Sequence, residues 1–344
     1  MAKKEKVQFN YAAEVKKLKE QGPERLYYLC GPEDYLRECY LTELRQLCVA
    51  TEDEFTYRRL DGPGIDLGEL AEAVDALPFF SERSFVEVRD CDLSKCRESE
   101  CERLKKIVND IPDYCTLVFT FSAAAEPDGR LAAVKAIKKA GRTVEFTEQE
   151  QAALTRWVQN RFKSLQKSIS SADAEYLIFL SGTRMSRLIP EIEKAASYAA
   201  AEQVTRADID ATATRIPEAD VFTMITLISK RRFDEAAVLL GDLMADKNNH
   251  PIYLNALIGQ QFRQLYAAKA GKLAGRSRSD IMELCGIRYD FIYERLASAA
   301  GAYSEQQLRA LVKLCAEYDY RMKSTGQQPQ TLLKELFARI AAGE

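Results

Sequence analysis

Residues 25–38 read Arg-Leu-Tyr-Tyr-Leu-Cys-Gly-Pro-Glu-Asp-Tyr-Leu-Arg-Glu. The first six form a short apolar run closed by Gly31-Pro32, which by length and flanks is a buried strand. From Tyr35 to Val49 the apolar residues recur at helical spacing. A strand that ends in glycine and runs into a helix is the frame of a phosphate-binding loop, G-x-x-x-x-G-K-[ST]. Here Gly31 is present, but the second glycine position holds Leu36, the lysine position Arg37 and the Mg²⁺-holding hydroxyl position Glu38. A side chain at Leu36 obstructs close backbone approach to a phosphate. Arg37 stays cationic with a different shape. Glu33, Asp34 and Glu38 set three carboxylates where a triphosphate would lie, opposing it by roughly 1 kcal/mol per close pair. The segment predicts an NTPase-like frame without NTPase chemistry.

Working outward, strand-like runs at 25–30, 55–60, 84–88, 115–121 and 142–146 alternate with helix-like runs at 11–21, 35–49, 67–76, 98–110 and 131–140. That alternation predicts βαβ units and a parallel sheet covered on both sides. The third strand runs into Arg89-Asp90-Cys91 rather than into paired acids, and Asp90 reads as a turn residue. After Thr147 the strand signal stops. Thr147-Glu-Gln-Glu150 has the form of a capping box opening a helix through about residue 162. Helical runs follow near 172–180, 185–200 and 206–213, then a break at Ile216-Pro217. Longer helices are expected at 221–229, 234–244, 252–270, 278–285, 289–300, 305–323 and 332–341. The expected fold class is α/β plus all-α: an α/β domain over 1–146, a small helical domain over 147–217 and a larger helical domain over 218–344. Trp157, at helical spacing with Leu154 and Arg161, is expected in the core of the second.

Composition narrows the function. The 344 residues carry 49 Lys and Arg against 52 Asp and Glu, a formal net charge of −3. This excludes a uniformly basic DNA-coating protein and an acidic disordered one. No apolar run approaches the roughly 18 residues of a membrane span, and no apolar stretch of the signal-peptide kind follows Met1-Ala-Lys-Lys-Glu-Lys. His250, the sole histidine, rules out a His-rich metal site and reads as a solvated or capping residue before Pro251. Nine cysteines without a signal peptide read as reduced thiols of the cytoplasm. Cys91, Cys96 and Cys101 are evenly spaced, but five-residue spacing does not share one helix face and no CxxC pair is present. No metal and no cofactor are therefore expected. Residues 1–146 hold 23 Lys/Arg against 28 Asp/Glu, residues 147–220 hold 9 against 11, and residues 221–344 hold 17 against 13. The nets of −5, −2 and +4 make the C-terminal part the better face for an anionic partner.

Four stretches in this order resemble the delta subunit of bacterial DNA polymerase III, a clamp-loader family. They are Leu29-Cys-Gly-Pro-Glu-Asp-Tyr-Leu-Arg-Glu38, Ala76-Leu-Pro-Phe-Phe-Ser-Glu-Arg83, Gly182-Thr-Arg-Met-Ser-Arg-Leu-Ile-Pro-Glu-Ile-Glu-Lys194, and Phe222 through Phe233-Asp-Glu-Ala-Ala237 to Gln260-Gln-Phe-Arg263. The resemblance implies an AAA+-like α/β domain, a helical lid and a helical collar. It implies one subunit of a five-membered ring with delta prime and the gamma or tau subunits, which grips the sliding clamp (the beta subunit) and helps open it for primed DNA without hydrolysing ATP. The clamp contact it implies falls on Leu77, Pro78, Phe79 and Phe80. Pro78 stops the preceding helix, and aromatics followed directly by Ser81-Glu82-Arg83 suit an interface anchor. By spacing alone one or both rings read as core packed between helix and strand. Many clamp-binding peptides carry Gln three residues before the apolar pair; Ala76 stands there.

Lesser candidates for DNA or subunit contact are Arg184 and Arg187, where ATP-binding relatives place a lid arginine, and the basic stretch of Arg263, Lys269, Lys272, Arg276 and Arg278 in the collar. Local bridging and a solvated face are the plainer readings. Two rival functions remain: a working NTPase with an atypical loop, against which Leu36 and Glu38 speak, and a stand-alone DNA-binding protein, against which the net charge speaks.

Overall fold

A computed structural model describes residues 9–49, 56–64, 66–78 and 81–343. The chain forms two compact units: residues 1–150 with 184–186, and residues 151–183 with 187–344.

The first unit contains α1 (Tyr11–Gln21), β1 (Leu26–Cys30), α2 (Asp34–Cys48), β2 (Tyr57–Asp61), α3 (Leu67–Asp75), β3 (Ser84–Arg89), a 3-10 turn at Leu93–Lys95, α4 (Glu98–Asn109), β4 (Cys115–Thr120), α5 (Ala132–Ala140) and β5 (Arg142–Glu145). Every strand pair is parallel, in the order β2-β3-β4-β1-β5. The two most apolar strands, β1 and β4, sit together near the centre with Leu26 opposite Leu117 and Tyr28 opposite Phe119. Strands buried on both faces read as continuous apolar runs. Tyr28, Val86, Val88, Leu117 and Phe119 face one layer with Leu70, Leu104 and Ile137 of α3, α4 and α5. Tyr27, from the opposite face of β1, meets Tyr40 of α2 with ring centroids 6.4 Å apart. The sheet expected from the sequence is thus present, with helices on both faces: a parallel α/β unit.

The second unit contains α6 (Gln151–Ser164), β6 (Ser168–Ile169), α7 (Ser171–Ser181), α8 (Met185–Tyr198), β7 (Gln203–Val204), α9 (Arg206–Thr212), α10 (Pro217–Ser229), α11 (Phe233–Ala245), α12 (Pro251–Leu273), α13 (Arg278–Cys285), α14 (Asp290–Gly301), α15 (Glu305–Ser324) and α16 (Pro329–Ala342). Pro217, Pro251 and Pro329 each open a helix, where the missing N–H costs nothing. His250 is the N-cap of α12, its Nδ1 accepting from the Ile252 N–H at 3.3 Å. Leu254, Ile258, Phe262 and Leu265 of α12 are buried, and α10, α13, α14, α15 and α16 pack around it.

Three expectations need correction. Residues 147–150 form no capping box, and α6 starts at Gln151. The Phe146 N–H bonds the Cys30 carbonyl and its own carbonyl accepts from Glu33, so the chain leaves β5 extended and cannot turn at Thr147. Strands do not end at 147: Ser168–Ile169 pairs in parallel with Gln203–Val204, two-residue strands too short for any period to register. Trp157 is half-buried, while Leu154, Val158 and Phe162 make the buried stripe of α6.

Candidate functional site

The degenerate loop joins β1 to α2. Gly31 has φ +111°, and a Cβ there would lie 2.6 Å from the Phe146 carbonyl oxygen. This glycine is required by the close approach of the neighbouring chain, whether or not phosphate binds. Leu36 is buried at 5% exposure in the first turn of α2. Arg37 is also buried, and its guanidinium turns inward. Nη1 donates to Asp34 Oδ1 (2.6 Å) and the Phe121 carbonyl (2.7 Å), and Nη2 to Glu38 Oε1 (3.2 Å). Glu38 is held in turn by a two-pronged pair with Arg89 at the end of β3, both contacts 2.9 Å. Arg89 Nε also bonds the fully buried Glu87 (2.8 Å), whose other oxygen accepts from the Tyr57 hydroxyl at 2.9 Å. Burial works against the Arg89 cation, but Glu38 and Glu87 outweigh it and its pKa is raised.

Glu33, the N-cap of α2, is 1% exposed, and its Oε2 has no hydrogen-bond partner. Burial pushes its carboxyl up to about 7; the Met185 and Tyr35 N–H groups pull the other way, and Asp34 and Glu148 add to the rise. These contacts change the electrostatic argument made from the sequence. The three carboxylates of the loop are not a free negative patch. One is buried and half neutral near pH 7, and the other two are matched by Arg37 and Arg89. The phosphate-loop positions are occupied by the chain's own ion pairs.

The second candidate follows α3. Asp66 caps this helix, accepting from the Gly68 N–H at 2.7 Å. The helix ends at Asp75, whose carbonyl accepts from the Tyr114 hydroxyl (3.0 Å). Leu77 follows with 64% of its surface exposed, and Pro78 is half-buried. Phe79 and Phe80 lie outside the described residues. At the far end Arg83 donates to the carbonyls of Pro23 (3.0 Å) and Asp113 (2.7 Å), and Ser81 Oγ donates to the Arg83 carbonyl. An exposed leucine thus sits on a connection fixed at both ends. The sequence pointed to the connection but not to Tyr114 and Arg83 as its anchors, because carbonyl acceptors leave no residue-type signal.

Two models of one family match this chain: "DNA polymerase III, delta subunit" over residues 27–147, and "DNA polymerase III delta subunit, C-terminal domain" over residues 218–340. The chain belongs to the DNA polymerase III delta-subunit family. It is 28% identical over 330 residues to DNA polymerase III subunit delta of Bacillus subtilis, covering 94% of each chain. It is 22% identical over 320 residues to a probable DNA polymerase III subunit delta of Aquifex aeolicus, covering 91% of this chain and 90% of the other. A solved Bacillus subtilis DNA clamp loader delta protein is similar at 25% identity and a TM-score of 0.49, with 97% of this chain and 100% of that one covered. Both the degenerate loop and the Leu77 connection fall inside the first family match.

The remaining candidates divide. Arg184 and Arg187 are exposed and carry no ion pair among the described residues. Arg278 is engaged locally, pairing with Asp290 (3.0 Å) and Glu294 (2.8 Å) and lying 5.0 Å from the centre of the Tyr293 ring. Arg263, Lys272 and Arg276 are exposed and Lys269 is half-buried on α12 and the turn after it. No group of three or more His, Cys, Asp or Glu among the described residues is arranged to hold a metal ion, and no helix of the described residues is long and apolar enough to cross a membrane.

Proposed function

We propose that this chain is the clamp-engaging subunit of a bacterial clamp loader: it presents Leu77, Pro78, Phe79 and Phe80 as an apolar wedge to the sliding clamp and does not hydrolyse ATP. The observation that carries the reading is the exposed Leu77 on a connection tied down by Tyr114 and Arg83. A large apolar side chain held in water by fixed neighbours has its ordering cost already met before a partner arrives. Each side chain buried in a clamp pocket contributes about 1.5–3 kcal/mol. The AAA+-like domain over 1–146 then serves as a rigid arm, followed along the chain by a lid over 147–217 and a collar over 218–344.

The non-hydrolysing half of the proposal is supported by the filled loop. Arg37 is buried with its Nη1 and Nη2 engaged by Asp34, Phe121 and Glu38, and Glu38 is paired with Arg89, so both are committed within the chain rather than turned to phosphate or Mg²⁺. In this reading the partners are the beta clamp, delta prime and the gamma or tau subunits, with primed DNA inside the assembly, and the protein works in the cytoplasm at the replisome. Arg184, Arg187, Arg263, Lys269, Lys272 and Arg276 are the cations offered to DNA or neighbouring subunits, with Arg278 the least available of the set.

The test is capture of the cognate clamp by the full chain beside the Leu77→Ala, Phe79→Ala, Phe80→Ala triple variant. Loss of capture in the variant, at unchanged melting temperature, is the expected result. Equal capture by both chains would overturn the clamp assignment. Mg²⁺-dependent micromolar ATP binding in calorimetry on the isolated chain would overturn the second half.

A further inference from the structure

The segment between β3 and α4 brings two thiols together. Arg97 is the N-cap of α4, which places Cys96 just before the cap and Cys101 in the first turn. Residues at these two places pack on one another and fix the angle at which the chain enters a helix. Here both are cysteine. The Cys101 N–H bonds the Arg97 carbonyl, and Cys101 Sγ lies 3.8 Å from the Cys96 carbonyl oxygen. Each thiol lies close enough to the other for Cys101 to hold the Cys96 proton on. Both are reduced, both are half-buried, and both rest on the edge of the apolar cluster beneath the sheet. Cys91, the third thiol of the segment, is 1% exposed inside that cluster. The surroundings therefore sort the three: one is sealed away, and two face each other at the surface.

We propose that Cys96 and Cys101 are a redox-modification site, a dithiol that closes to a disulfide on exposure to a peroxide. The Cys101 thiolate attacks one peroxide oxygen, the O–O bond breaks, and hydroxide leaves and is protonated to water. Cys101 is then a sulfenic acid. Cys96 attacks the Cys101 sulfur, the S–S bond forms, the S–O bond breaks, and hydroxide departs with the Cys96 proton as a second water. Two thiols lose two electrons in all, and one peroxide becomes two waters. Burial and the adjacent Cys101 hold the Cys96 proton on. Glu100 and Asp92 add to that effect, so the reaction is slow beside that of a dedicated peroxidase. The product ties the entry of α4 to the turn before it, replacing a packing contact with a covalent bond.

The test uses the full chain, reduced, exposed to hydrogen peroxide, alkylated and digested for mass spectrometry. The expected product is a linked pair of peptides carrying Cys96 and Cys101, two hydrogens lighter than the reduced pair and at least about tenfold more abundant than any other cysteine pairing. It is expected to vanish in Cys96→Ser, with sulfenic acid then trapped by dimedone at Cys101. Separate alkylation of both thiols after treatment overturns the proposal, as does a Cys91–Cys96 link. Persistence of the same selectivity in urea also overturns it, since the pairing would then follow from spacing and not from the fold.

Discussion

Glu33→Gln tests how α2 of the sheet domain is held. In the folded chain the Glu33 carboxyl is 1% exposed and is pushed by burial from 4.5 to about 7. Asp34 and Glu148 raise it further, and the Met185 and Tyr35 amides oppose the rise. The folded state binds the proton more tightly than the unfolded chain does. The stabilising effect is therefore complete below about pH 4.5 and is lost as pH rises through about 7. A displacement of this size corresponds to roughly 3 kcal/mol in full, of which about 2.5 kcal/mol falls between pH 5 and pH 8. Glutamine keeps the shape and removes the titration. Urea unfolding, read through amide exchange of β1 and α2, is expected to show the wild type losing about 2 to 3 kcal/mol relative to Glu33→Gln between those two pH values. Parallel pH dependences for the two proteins would refute the burial argument. A wild type that gains stability relative to the variant as pH rises would mean that the carboxylate is ionised and paired.

Leu77→Ala is expected to leave the melting temperature within about 1 °C of wild type, because so exposed a side chain gives the fold little, while clamp capture measured by surface plasmon resonance weakens at least tenfold. Tyr114→Phe removes the hydroxyl that holds the Asp75 carbonyl; loss of one hydrogen bond of about 1 kcal/mol is expected to weaken clamp binding three- to tenfold, mostly in the dissociation rate. Arg89→Met leaves Glu87 buried at 0% exposure without its cation and is expected to destabilise the chain by about 3–5 kcal/mol in urea titration; adding Glu87→Gln should restore most of that.

Much of this architecture is written in local pattern. The alternation of short apolar runs with helical repeats gave five strands and five helices of the first unit to within two or three residues wherever the structure describes them, and the switch to helix alone gave the second unit except for β6 and β7. The damage to the phosphate loop was legible because it lies in residue types at fixed offsets: Leu36, Arg37 and Glu38 can be read without knowing where anything is. Strand and helix periods repeat within a few residues, so one chain suffices to find them.

What the tertiary structure alone decided depends on residues far apart in the chain. The strand order, with β1 between β4 and β5, is fixed by pairings such as Leu26 with Leu117 and Tyr27 with Arg142. Glu33 becomes a buried, proton-holding acid only because Phe146 and Met185 close over the loop. Glu38 looked like an obstacle to phosphate and is in fact half of an ion pair with a residue 51 positions away. Cys96 and Cys101 shared no helix face by spacing, yet a turn and a helix start set them side by side. Burial and pairing follow from which surfaces the folded chain presses together, and charge or polarity along the sequence does not carry that information.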